Sequence, residues 1–134
     1  QLTRFHQEIL EEVIELTRQT CRVLRARDDF DVLMAPALST LVFRYRPAAL
    51  EEDARIEAIN RRIRQTLSRR GAAVVAATRV DGRFYLKFTL LNPLTRLEDL
   101  TALISEIADI GASLMSPQVS PAARPSIVRR KTSC

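Results

Sequence analysis

The chain has 134 residues, 46% of them hydrophobic and 28% charged, with a formal net charge of +5. That length makes one domain with a single core, and that apolar share argues against global disorder. No apolar run is long enough to span a bilayer and no basic-then-apolar leader opens the chain, while one histidine and two widely separated cysteines leave a structural zinc site without ligands.

From Leu2 to about Arg27, apolar residues recur at Leu2, Phe5, Ile9, Val13, Leu16 and Val23, widened by Leu10, Cys21 and Leu24. The spacing is helical, with Glu and Arg on the other face. A helix this long and one-sided needs a partner surface. Since the chain opens at Gln1 on that pattern, it is read as a processed chain or an excised fragment. Its expected location is cytoplasmic, so Cys21 and the terminal Cys134 are expected as isolated thiols.

Phe30-Asp31-Val32-Leu33-Met34 fits a short strand, closed by Pro36. In the run up to Pro47, Leu41, Phe43 and Tyr45 alternate with Val42, Arg44 and Arg46, which predicts a second strand. Glu51 to Arg70 reads as a helix with a stripe of Ile56, Ile59, Ile63 and Leu67, and Asn60 beside it. Acidic residues stand at its start, arginines toward its end, and Gly71 follows.

Ala72 to Val80 and Arg83 to Leu91 flank Asp81-Gly82, a strong signal for a two-residue hairpin. On the second of these strands Phe84, Leu86, Phe88 and Leu90 share a core face. Tyr85, Lys87, Thr89 and Leu91 share the other. Asn92-Pro93 ends the strand, and Thr95 with Glu98 fits a capping box for a third helix through Leu114. From Ser116 to Cys134, Ser, Pro, Ala and Arg dominate, as in a tail.

These elements predict an α+β fold. A three- or four-stranded, mainly antiparallel sheet is covered on one face by helices and preceded by a long helix. Residues 1–115 form the domain and 116–134 the tail. The arginines alternate with Glu and Asp, so a solvated surface is expected rather than a nucleic-acid site; Arg129-Arg130-Lys131 is the one tight basic run. No glycine-rich phosphate loop or nucleophile-base pair can be built, and His6 is expected on a helix surface. Lys87 stands apart, as one of two lysines and set among apolar residues. It either reaches water along the sheet face or pairs with a substrate carboxylate as a point charge.

The run Leu41-Val42-Phe43-Arg44-Tyr45-Arg46-Pro47, then Asn60, Ile63-Arg64 and Asp81-Gly82, resembles the pyridoxal-phosphate-dependent group II decarboxylases. So does Tyr85-Leu86-Lys87-Phe88-Thr89-Leu90-Leu91-Asn92-Pro93, followed by Thr95 and Asp99-Leu100. The wording is most like the 2,4-diaminobutyrate branch, and the likeness covers only the family's C-terminal small domain, residues 1–115. It implies a substrate-pocket wall in an amino-acid decarboxylase with a pyridoxal 5'-phosphate cofactor. It also implies a large cofactor-binding domain as partner and a homodimeric parent. The family's Ser-x-His-Lys segment is absent, since neither Lys87 nor Lys131 follows a histidine. The resemblance therefore implies no catalytic residue here, no cofactor bound by this chain and no activity alone. Lys87 matches the place where several branches carry a substrate-binding arginine, which makes it the candidate substrate-binding residue. The alternatives are a stand-alone ferredoxin-like binding or regulatory module, and a basic nucleic-acid binder.

Overall fold

The computed structural model describes residues 2–33, 39–70, 75–90 and 94–115. In chain order it has helix α1 (Leu2–Ala26), strands β1 (Phe30–Val32) and β2 (Thr40–Tyr45) and helix α2 (Asp53–Arg70). Strands β3 (Val75–Val80) and β4 (Arg83–Thr89) and helix α3 (Leu97–Met115) complete it. Each element falls where its pattern predicts one. Gly71, Asn92, Pro93 and the expected tail from Ser116 lie outside the described residues.

The four strands form one sheet in the order β1-β2-β4-β3, every pairing antiparallel. The β3–β4 hairpin closes through Asp81 at φ 51° and Gly82 at φ 78°, the left-handed pair that a two-residue turn demands. Period two then sends alternate side chains of β4 to opposite faces. Leu86 and Phe88 join the main core with Phe43, Leu41 and Phe30, while Lys87 and Tyr85 point the other way.

All three helices pack on the Leu86 face. Ile56, Ile63 and Leu67 of α2 and Ile104 and Ile107 of α3 are fully or almost fully buried against it. Each contributes roughly 1.5–3 kcal/mol relative to exposure. Aromatic rings fill the sheet side, with Phe43 edge-on to Phe88 at 4.7 Å and Phe30 edge-on to Tyr45 at 5.6 Å. Gly111 of α3 sits directly on the Tyr45 ring, which occupies the space a Cβ would need. Helix and strand approach this closely because the residue is glycine.

Helix α1 is covered unevenly. Val13 and Leu16 meet Leu90 and Leu100 in a small second cluster, and Cys21 and Leu24 enter the main core. Nearer the start, Phe5 and Leu10 remain 56% and 49% exposed. Thr17 and Thr20 are buried, and each hydroxyl donates to the carbonyl four residues back at 2.8 Å.

Three expectations change. Cys21 is fully buried and disulfide-bonded rather than an isolated thiol. The chain's other cysteine, Cys134, lies outside the described residues. Separation along a sequence says nothing of the distance between Cα atoms that governs such a bond. The cap of α3 falls one residue later than Thr95 and Glu98: the Asp99 carboxylate accepts from the Arg96 N–H at 3.0 Å. With Leu97 as the first helical residue, Asp99 rather than Glu98 stands where a side chain can reach back to the N-cap. Finally, the described elements run α-β-β-α-β-β-α, not the β-α-β-β-α-β of a ferredoxin-like sandwich. Among the described residues no helix is long and apolar enough to cross a membrane.

Candidate functional site

Lys87 stands on the sheet face away from the helices. It occupies the central strand β4, paired with Val42 on β2 and Ala76 on β3. It is half-buried, and its two cross-strand neighbours offer no charge. No carboxylate among the described residues lies within ion-pair distance of it. An ammonium in this setting keeps its three donors for water or for a group brought by something else.

The rest of this face is less open than the sequence implies. Tyr85, two residues from Lys87 along β4, is 5% exposed, and Arg44 on β2 is 6% exposed. The Arg44 guanidinium stacks on the Tyr85 ring, 5.3 Å from its centroid. Burial of the flat cation on an aromatic face recovers part of its lost hydration. Its carboxylate neighbours stand farther off: Nε is 3.6 Å from Asp31 and Nη1 is 3.7 Å from Asp53. Both exceed hydrogen-bond length, and Nε finds no hydrogen-bond partner.

The same carboxylates also serve other arginines. Arg46, two residues on from Arg44, reaches Asp31 at 3.4 Å, and its own Nε is buried without a partner. Arg83 reaches Asp53 at 3.4 Å. Beside this cluster lies a cleft of about 270 Å³ lined by Arg44, Asp53, Glu57, Asp81 and Arg83 among others. Glu57 is already engaged, by Arg79 at 2.7 Å and Arg61 at 2.9 Å. The bond from Arg79, then that from Arg61, holds its carboxyl below the ordinary carboxylate value, and Glu57 raises Arg79 in turn. The Tyr45 phenol is pushed up, chiefly by burial.

The backbone of β2 is held in place by Asn60. Its Oδ1 accepts from Tyr45 N at 2.8 Å and its Nδ2 donates to Tyr45 O at 2.9 Å, just past the last β2–β4 pair, Phe43 with Leu86. Asn60 therefore does for Tyr45 what the next residue of β4 would do, and fixes the strand that carries Arg44 and Arg46.

Sequence reasoning singled out Lys87 and missed the burial of Arg44. The available signal was the alternation that puts Arg44 and Tyr85 on one face. The two become neighbours only once β2 is paired with β4. His6 stays exposed on α1 beside Phe5.

These residues do not make a cradle for pyridoxal phosphate. Of the described glycines, Gly82 turns the hairpin and Gly111 packs on Tyr45, so neither opens a helix toward a phosphate. Lys87 carries no adjacent histidine, and its strand neighbours Val42 and Ala76 cannot pair with a ring nitrogen. What the face can do is present cations to an anion.

No protein-family model matches the chain. It is 28% identical over 110 residues to L-2,4-diaminobutyrate decarboxylase of Rhizobium meliloti (strain 1021), covering 82% of this chain and 22% of that protein. A solved structure from Vibrio parahaemolyticus is similar too, with a TM-score of 0.70 and 31% identity. It is the glutamate decarboxylase domain of diaminobutyrate-pyruvate transaminase and L-2,4-diaminobutyrate decarboxylase, matched over 79% of this chain and 22% of that one. Oryza sativa TDC with PLP superposes with a TM-score of 0.74 at 25% identity, over 82% of this chain and 24% of that one. The chain thus spans about a fifth of the length of the curated relatives it matches. The curated relatives it matches are named as decarboxylases, the Oryza sativa structure holds PLP, and the chain corresponds to a fragment of these proteins.

Proposed function

We propose, from this homology to a fragment of the L-2,4-diaminobutyrate decarboxylases, that residues 1–115 are the C-terminal small domain of an amino-acid decarboxylase. In this reading the chain is joined to a large domain that holds pyridoxal 5'-phosphate, within a homodimer. The 116–134 segment is an appended tail. The cofactor, when bound to the large domain, supplies the electron sink for carbon dioxide loss. In this reading the fragment alone is inactive, because its sequence lacks the Ser-x-His-Lys segment that the resemblance assigns to the large domain.

This chain contributes a wall of the substrate pocket. Lys87 pairs with the α-carboxylate of the amino acid, and the sheet holds it in position. The observation that carries this is the placement of Lys87: mid-strand on β4, half-buried, between Val42 and Ala76, on the face the helices leave. A lysine gives that carboxylate a point charge rather than a two-pronged clamp. The looser contact suits a reaction in which the carboxylate must leave.

The test is Lys87→Ala in the parent polypeptide. Removing a charge-assisted hydrogen bond to substrate should raise KM or lower kcat by about tenfold or more. Cofactor absorbance should stay unchanged, and Lys87→Arg should keep most of the activity. Unchanged kinetics in Lys87→Ala would reduce Lys87 to a surface side chain.

A further inference from the structure

Cys21 is fully buried in the main core and already part of a disulfide, and among the described residues no cysteine is free. The sequence holds one other cysteine, Cys134, its last residue. The function proposed above employs neither. A bridge between them closes almost the whole chain into one loop, and the gain from cross-linking grows with the length of the loop.

The fold brings the two ends of such a bridge within reach. Val13 of α1 shares a cluster with Leu100 of α3. Farther along both helices, Arg27, whose pKa is raised chiefly by its hydrogen bond to Asp29, also feels the Asp109 carboxylate. Helices α1 and α3 therefore run side by side in the same direction. With a rise of about 1.5 Å per residue and about 10 Å between packed axes, Met115 at the end of α3 stands roughly 20 Å from Cys21. The 19 residues from Ser116 to Cys134 cover about 60 Å when extended, so they close that gap with length to spare.

We infer that Cys21 and Cys134 form a redox clasp that fastens the C-terminal segment of the chain to helix α1. The oxidant is a small-molecule disulfide such as glutathione disulfide. The Cys134 thiolate, at the chain end, attacks it and releases one thiol. Cys21 then displaces the second thiol and closes the bridge. Two cysteine thiols are oxidised and one small disulfide is reduced to two thiols. Opening is the reverse, driven by excess thiol. Because Cys21 is fully buried, an incoming thiolate reaches the bridge from the Cys134 side or after local opening, which slows release in the folded chain. Closed, the clasp adds stability; open, it frees residues 116–134 and leaves Cys21 as a small apolar side chain of the core.

The test uses the 134-residue chain, equilibrated with glutathione disulfide, unfolded in urea with N-ethylmaleimide present, and digested with trypsin without reduction. Trypsin cuts after Arg18, Arg22 and Lys131. The clasp predicts one product in which Gln19–Arg22 is joined to Thr132–Cys134, from a protein that runs without reductant as a 15.2 kDa monomer. Dithiothreitol before the block should replace that product by the two peptides, each carrying N-ethylmaleimide. Cys134→Ser should abolish the joined product and lower the melting temperature under glutathione disulfide by about 8 °C or more, while matching the parent under dithiothreitol. The inference is overturned if both peptides carry N-ethylmaleimide after glutathione disulfide, or if the bridge joins two chains. It is equally overturned if Cys134→Ser and the parent melt alike in the oxidising buffer. None of these readouts involves decarboxylation, so the clasp and the Lys87 proposal stand or fall separately.

Discussion

Asn60 and Tyr45 are joined at both polar atoms of the Tyr45 backbone. The Asn60 side chain accepts from its N–H at 2.8 Å and donates to its carbonyl at 2.9 Å. The same Nδ2 donates to Ile56 O at 2.8 Å, so a fully buried amide has its hydrogen bonds inside the protein. This one side chain ties helix α2 to the end of strand β2.

Asn60→Ala should therefore destabilise the fold by about 2–4 kcal/mol, because it strands two buried backbone groups as well as leaving a void. Urea denaturation checks this. A loss below about 0.5 kcal/mol would mean that β2 keeps its place without the amide. Asn60→Asp should also destabilise, since the carboxylate can accept from Tyr45 N but cannot donate to Tyr45 O.

Gly111→Ala should cost about 1–3 kcal/mol, since the new methyl overlaps the Tyr45 ring. The cost should be specific to that ring. On a Tyr45→Leu background the same substitution should cost clearly less, and a double-mutant cycle measures the difference. Equal costs on both backgrounds would locate the effect in the helix and not at the contact.

Glu57 sets an acid-side prediction. Its carboxyl is held below the ordinary value of 4.5 by Arg79 and then Arg61. A carboxylate whose folded pKa is depressed adds stability that is present above its unfolded pKa and is lost as pH falls through the folded one. Melting temperatures at pH 7 and pH 3 should thus fall less for Glu57→Gln than for the parent. Parallel losses would show that the Arg79 and Arg61 contacts are screened away in water, as surface pairs often are.

Much of the fold was legible in the sequence, for reasons that can be named. Asp81-Gly82 carried the hairpin because few residues accept positive φ twice in succession. The alternation of Phe84, Leu86 and Phe88 fixed which way Lys87 points, and the stripe of Ile56, Ile63 and Leu67 fixed the inner side of α2. Arg44 was not legible. It reads as an ordinary outward residue of a strand, and its burial depends on Tyr85 arriving from another strand. The role of Asn60 was half legible: its place beside the stripe was apparent, its bond to Tyr45 was not. The cap at Asp99 shows the usual one-residue uncertainty of a helix start. Lys87 stands out from the strand pattern, whereas the role proposed for it rests on the resemblance.

The most direct test of the account is carbon dioxide release, measured with pyridoxal 5'-phosphate present, from the parent polypeptide and from this chain alone. The account predicts release from an amino acid, L-2,4-diaminobutyrate first among those tried, by the parent polypeptide and none by the chain alone. The account is contradicted if the cofactor-loaded parent decarboxylates none of L-2,4-diaminobutyrate, glutamate and the aromatic amino acids, or if this chain alone turns any of them over.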